Sequence, residues 1–143
     1  MLNIQVKLAD GAIMPEKKTA GASGYDLYAL YDVTIVPFQT EVVEVGVAIN
    51  IKEPFVEAVI RPRSSMSKKG IVCHTGTIDN DYNGADDYIS ITLTNISRKD
   101  YYIKKGDRVA QLVFQPIVPT TLELNADVFK ENKNRGGYGS TGK

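Results

Sequence analysis

The sequence predicts an all-β domain, an antiparallel sandwich or barrel with one short helix, on three observations. Valine, isoleucine and threonine account for 37 of the 143 residues, and their branched side chains suit a pleated, half-buried surface better than a helix. Apolar residues recur at every second position over several short runs, the period of a strand with one face on a core. Clusters of turn-forming residues separate these runs, and no long pattern of period 3.6 lies between them.

The first run is Ile4, Val6 and Leu8, followed after the turn-rich stretch Ala20 to Gly24 by Val33 to Val36. Val45, Val47, Ile49 and Ile51 then alternate with Glu44, Gly46, Ala48 and Asn50, which predicts one buried face. Lys52-Glu53-Pro54 breaks the chain before Val56 to Ile60. Ser65 to Lys69 is the one short helix, opened by a serine N-cap and stopped by Gly70. After the Asn83-Gly84 turn, Ile89, Ile91 and Leu93 alternate with Ser90, Thr92 and Thr94. Lys104 to Asp107 turns the chain into the last run, Val109 to Phe114. Residues 131–143 hold four glycines and no aliphatic side chain, too little to order themselves on a core. They read either as a frayed tail or as an arm whose amides, hydroxyls and Arg135 close over an anion.

One domain is expected from this length. Lysine plus arginine equal aspartate plus glutamate at 17 each, so no chain-wide basic field exists to hold nucleic acid, and any polyanion must meet a local cluster. The single cysteine, Cys73, rules out an intrachain disulfide and a multi-cysteine zinc site. The first residues lack a signal-peptide core and no run is long enough to span a membrane, so a cytoplasmic protein is expected. Asn95-Ile96-Ser97 matches a glycosylation sequon by chance.

Asp79-Asn80-Asp81-Tyr82-Asn83-Gly84 matches the first half of a calcium loop, but its twelfth position is Ser90 rather than glutamate and its flanks are strand-like. Cys73 and His74 are neighbours with no partners to complete a metal set, and adjacent strand residues face opposite ways, so both read as structural. Arg61-Pro62-Arg63-Ser64-Ser65 ahead of the short helix could clamp phosphate oxygens with two guanidinium groups and two hydroxyls. It reads equally well as a strand end with a cap and solvated arginines.

Together these segments are more specific than any one of them, and the chain resembles the trimeric dUTP pyrophosphatase (dUTPase) family. All five motifs of that family occur in order: Ala22 to Ala29, Pro62 to Ile71, Gly76 to Gly84, Gly106 to Val113 and Arg135 to Gly142. The resemblance implies a jelly-roll-like β subunit that forms a homotrimer with sites at its interfaces. It also implies Mg²⁺-dependent hydrolysis of dUTP to dUMP and pyrophosphate. By matching position, Asp79 activates the attacking water and meets the 3′-hydroxyl, and Tyr82 packs beneath the deoxyribose. Gly76 and Ile78 belong to the hairpin whose backbone reads uracil. Arg63, Ser64, Ser65 and Gln111 fall at phosphate-binding or site-supporting positions, and Arg135, Ser140 and Thr141 hold the terminal phosphate. Arg108 supports the site, and Asp26 meets the metal through water, with no direct protein ligand to Mg²⁺.

The chain departs from the family pattern at three places. Ser65 replaces a glycine, Ala85-Asp86-Asp87 is extra after the third motif, and the fifth motif is shorter with Tyr138 in place of phenylalanine. Tyr138 is expected to stack on uracil, with Tyr88 the second candidate. These departures resemble a bacterial and phage branch, consistent with a prophage origin; some phage members also bind regulatory proteins. The related dCTP deaminases share an Arg-Ser-Ser segment but need a glutamate shortly after the third motif, where Asn83 to Tyr88 has none.

Overall fold

The computed structural model describes residues 1–139 and Gly142. The chain forms eleven strands among these residues, in the order β1 (Gln5–Leu8), β2 (Tyr25–Tyr28), β3 (Val33–Ile35), β4 (Thr40–Glu44), β5 (Val47–Asn50), β6 (Val56–Arg61), β7 (Ile71–Cys73), β8 (Thr77–Ile78), β9 (Ser90–Asn95), β10 (Tyr101–Ile103) and β11 (Arg108–Pro116). The single α-helix, α1 (Ser64–Lys68), lies between β6 and β7, and a 3₁₀ turn covers Ala126–Phe129. A four-stranded sheet runs β2-β11-β6-β8, a three-stranded sheet β4-β9-β7, and the ribbons β1-β5 and β3-β10 complete the domain. Every pairing is antiparallel. Leu27, Ala58, Ile60 and Leu112 from the larger sheet share one apolar cluster with Val43, Ile71, Ile91 and Leu93 from the smaller, which defines a sandwich. Among the described residues no sheet closes into a barrel.

The alternation at residues 89–94 is borne out: Ile89, Ile91 and Leu93 are buried while Ser90, Thr92 and Thr94 are not. The alternation at residues 44–51 is corrected. The segment is two strands rather than one, broken where Gly46 adopts φ +66°. A Cβ on Gly46 would stand 2.8 Å from the Ala12 methyl, so the break needs glycine in both conformation and space. Ala48, expected on the polar face, is buried together with Val47 and Ile49, because β5 is covered on both faces. The helix begins one residue earlier than expected, and its N-cap is Arg63 rather than serine, with no side-chain cap.

Asn95 is fully buried at the end of β9. Its amide nitrogen donates to the carbonyls of Ile35 and Lys99, each at 2.7 Å, and its Oδ1 accepts from the backbone N–H and hydroxyl of Ser97. All four links join β9 to β3 and to the turn before β10, and they place the sequon asparagine inside the protein. Asn95→Ala should therefore lower stability by about 2–4 kcal/mol, since two carbonyls and a backbone N–H lose partners in the interior. Urea unfolding checks this, with the midpoint expected to fall at an unchanged slope.

Candidate active site

β6 is paired along both edges, and its two registers decide where the chemistry-bearing residues lie. On one side Gln111 of β11 stands opposite Arg61, and on the other Ile78 of β8 stands opposite Ala58. Gln111 is thus level with the end of β6, and Asp79, one residue beyond β8, is level with its start. Nine of the expected site residues line two separate clefts.

The first cleft, of about 420 Å³, holds Ile78, Asp79 and Tyr82, with His74, Thr75 and Thr92 beside them. The Asp79 carbonyl accepts the Tyr82 N–H at 3.0 Å, which makes the third motif a tight turn. Asn80 fastens that turn to the sheet by donating to the carbonyls of Glu53 (2.9 Å) and Val56 (3.1 Å). The apparent calcium-loop residue is therefore a structural anchor that leaves the Asp79 carboxylate exposed at the cleft. The Tyr82 hydroxyl donates to the Tyr88 carbonyl at 2.9 Å. Gly76 accepts the Ile60 N–H at 2.8 Å, and nothing lies within 4 Å of where its Cβ would be, so the hairpin is open at that point.

The second cleft, of about 260 Å³, holds Asp26, Arg63, Ser64, Ser65, Arg108 and Gln111. Arg63 donates to the Arg108 carbonyl at 3.1 Å, and Arg108 meets the Asp26 carboxylate at 3.5 Å. Register places Asp26 of β2 opposite Gln111, and an irregularity between Arg108 and Ala110 turns the strand there. Gly24 lies under Gln111, where a Cβ would be 3.1 Å from the glutamine side chain. Ser65 sits in the first turn of α1 with its side chain exposed, and the backbone there is ordinary right-handed helix, so a glycine is not needed.

Lys18 also lines this cleft, and nothing in the local sequence pattern pointed to it. A hydrogen bond to Glu16 holds its ammonium above the ordinary lysine value, and the same bond holds the Glu16 carboxyl below its own. With Arg63 and Arg108 it makes three cations against two carboxylates, the buried Asp26 and the Glu16 paired to Lys18, a local positive excess suited to an anion despite the chain's zero net charge. His74, read as structural, and Thr75, which the sequence did not single out, both line the first cleft. Thr75 accepts the Thr92 N–H at 2.8 Å, and His74 Nε2 shares a 2.6 Å hydrogen bond with Thr94, so both brace the wall of the first cleft.

Among the described residues no three His, Cys, Asp or Glu side chains converge. A lone carboxylate, Asp26, beside cationic and hydroxyl groups fits a magnesium ion held chiefly by phosphate oxygens and water, not by a protein cage. Three other expected residues lie outside both clefts: Tyr88 lines a neighbouring groove, and Arg135 and Tyr138 are exposed. Ser140 and Thr141 lie outside the described residues.

The sandwich and its two clefts, one lined by the exposed Asp79 and the other by cations and hydroxyls, define an all-β protein with a candidate anion site. The dUTPase family matches residues 10–142. A deoxyuridine 5′-triphosphate nucleotidohydrolase of Hydrogenobaculum sp. is 40% identical over 140 residues, covering 95% of this chain and 94% of that protein. One from Actinobacillus pleuropneumoniae serotype 3 is 38% identical over all of this chain and 99% of its own. Among solved structures, a mutant of the dUTPase of Staphylococcus bacteriophage 80alpha with dUpNHpp superposes at a TM-score of 0.84, with 28% identity and 99% of each chain covered. A dUTPase mutant from phage phi11 of S. aureus, described with a structural Mg(II) ion, gives 0.78 at 27% identity over 89% of this chain and 99% of its own. The chain belongs to the dUTPase family, and its sandwich is the jelly-roll-like fold expected.

Cys73 sits at the edge of the first cleft's hairpin, half buried, and burial pushes its thiol up despite a weak bond to the Thr75 carbonyl. Iodoacetamide should therefore label it more slowly than free cysteine at pH 8, with the rate still climbing where free cysteine has levelled off. Mass spectrometry of the alkylated peptide over a pH series checks this.

Proposed function

We propose that the protein hydrolyses dUTP to dUMP and pyrophosphate in the cytoplasm and does so as a homotrimer. The observation that carries the reading is Asp79, an exposed carboxylate on a turn anchored by Asn80, in a cleft of nucleoside size that Tyr82 also lines. In this reading Asp79 takes the proton of the water that attacks the α-phosphorus. Tyr82 packs beneath the deoxyribose and leaves no room for a 2′-hydroxyl, while the hairpin backbone at Gly76 and Ile78 meets uracil. Arg63, Ser64, Ser65 and Gln111 bind phosphate oxygens, and Arg108 supports them by holding Asp26. Mg²⁺, when bound, offsets charge on the triphosphate, with Asp26 accepting a hydrogen bond from its water shell. Arg135, Ser140, Thr141 and Tyr138 of the C-terminal arm, residues 131–143, close over the terminal phosphate and the base.

The spacing of the two clefts supports the oligomer. From Glu57 to Arg61 the chain advances four strand steps of about 3.3 Å, about 13 Å in all. An attacking water must stand within about 3–3.5 Å of the phosphorus, so this separation favours a site shared between two copies, one giving the nucleoside cleft and the other the phosphate cleft. The stretch after β11 fits this reading, since it leaves Leu122, Leu124 and Phe129 exposed beyond its own core. A regulatory protein contact at the insertion 85–88 is a second reading, prompted by phage relatives described as controlling transfer of virulence genes.

Incubation with dUTP, dCTP, dTTP and UTP in Mg²⁺ should yield pyrophosphate from dUTP alone, and ammonia from dCTP would overturn the reading in favour of a deaminase. Asp79→Asn should keep its fold and bind dUTP while kcat falls about 10²–10⁴-fold, the usual contribution of a general base. A variant retaining more than a tenth of the normal rate would remove Asp79 from that role. Tyr138→Ala should raise the Michaelis constant for dUTP, because stacking contributes about 1–3 kcal/mol. Tyr88→Ala should raise it less, and an unchanged constant for Tyr138→Ala would reverse the assignment.

A further inference from the structure

The turn that follows the third motif carries the extra residues Ala85-Asp86-Asp87, and its internal bonds close it on itself. The Asp87 N–H donates to the Gly84 carbonyl at 3.2 Å, the Gly84 N–H to the Asp87 carboxylate at 2.7 Å, and the Tyr88 N–H to the Asp86 carbonyl at 2.9 Å. None of these fixes the turn relative to the sheets. Two contacts from the ribbon β1-β5 do. The Ile89 N–H donates to the Val47 carbonyl at 2.8 Å, and Lys7 of β1 donates from Nζ to the Ala85 carbonyl at 2.5 Å. The same ammonium lies over the Tyr88 ring, 5.5 Å from its centre. Lys7 stands opposite Ala48 in the ribbon, next to the Val47 that holds Ile89. It makes no ion pair among the described residues.

We propose that Lys7 is a positioning residue for the nucleoside cleft: its ammonium grips the turn at residues 85 and 88 and so fixes the Tyr88 carbonyl, which in turn fixes Tyr82. The chain of contacts is short and each step is directional. Lys7 holds residues 85 and 88, the Tyr88 carbonyl accepts the Tyr82 hydroxyl, and Tyr82 lines the cleft with Asp79. A lysine 78 residues from its acceptor in sequence thereby ties the first strand to the third motif. The functional half rests on the reading that Tyr82 packs beneath the sugar. On that reading the extra residues do not loosen the sugar floor, because Lys7 braces them from outside. Loss of the brace weakens nucleoside fit and admits a 2′-hydroxyl, with little effect on the water-activating step.

The test uses the full-length protein and the variants Lys7→Ala, Lys7→Arg, Tyr82→Phe and the double variant Lys7→Ala/Tyr82→Phe. Amide hydrogen exchange is read without nucleotide, and steady-state kinetics with dUTP and UTP. Lys7→Ala should unfold normally in urea and exchange faster in peptides covering residues 84–89 and nowhere else. Its KM for dUTP should rise about threefold to tenfold, as for the loss of one charged contact and a cation–π pair. Its kcat should change less than twofold, its preference for dUTP over UTP should fall, and Lys7→Arg should restore both. The double variant should be no worse than the more impaired single variant, since both substitutions cut one chain of contacts. Unchanged exchange at residues 84–89 would overturn the proposal, as would faster exchange with unchanged KM and sugar preference, or fully additive variants. Exchange does not depend on substrate, so wild-type protein that fails to split dUTP would count against the functional reading, while unchanged exchange counts against Lys7.

Discussion

The antiparallel pairing of β6 along both its edges is the constraint on which the candidate site depends. A strand has a fixed rise per residue, so once Gln111 is opposite Arg61 and Ile78 opposite Ala58, the distance between the two clefts is set. A shift of one residue would also turn every buried side chain of β6 outward, and Ala58 and Ile60 are both in the core. The apolar core therefore enforces the spacing of the polar groups. The proposed sharing of a site between copies fits this spacing, because strands cannot shorten to bring the two groups together.

The same frame explains why the departures from the family pattern are tolerated. Ser65 is harmless because it lies in a helical turn with right-handed backbone and is exposed at the rim of the second cleft. Gly46 and Gly24 are not open to such exchange, the first for its positive φ and its closeness to Ala12, the second because Gln111 fills the space above it. The extra residues after the third motif leave from a turn already anchored by Asn80 and return to β9 through Ile89, so the added length is absorbed between two fixed points.

Much of the fold was legible in the sequence because alternation reports burial directly. The β9 pattern was read correctly, since one of its faces meets the core. The segment 44–51 was misread as one half-exposed strand because alternation is lost where both faces are covered, and Ala48 is small enough to pass for a neutral residue. The serine cap was misplaced because propensity favours serine, while here Pro62 and Arg63 carry the chain into the helix in an extended conformation without a side-chain cap. In the site, the motif residues were legible and their division into two clefts was not, because strand register is a long-range property. Lys18 gave no local signal for the same reason: it reaches the second cleft by tertiary placement.

A chain with no net charge can still present a strongly cationic cleft, because screening makes electrostatics local. At physiological ionic strength charges more than about 8 Å apart act weakly across solvent, so distant carboxylates on the surface do little to offset the cations of the cleft. Two carboxylates oppose them, Asp26 engaged by Arg108 and Glu16 by Lys18, which leaves Arg63 without a carboxylate partner among the described residues. The arrangement leaves positive charge free for an anion and fixes the geometry of the arginines before one arrives. Preorganisation of this kind favours a ligand whose charge is concentrated in one extended group, as in a triphosphate, over nucleic acid, whose charge is spread along a backbone.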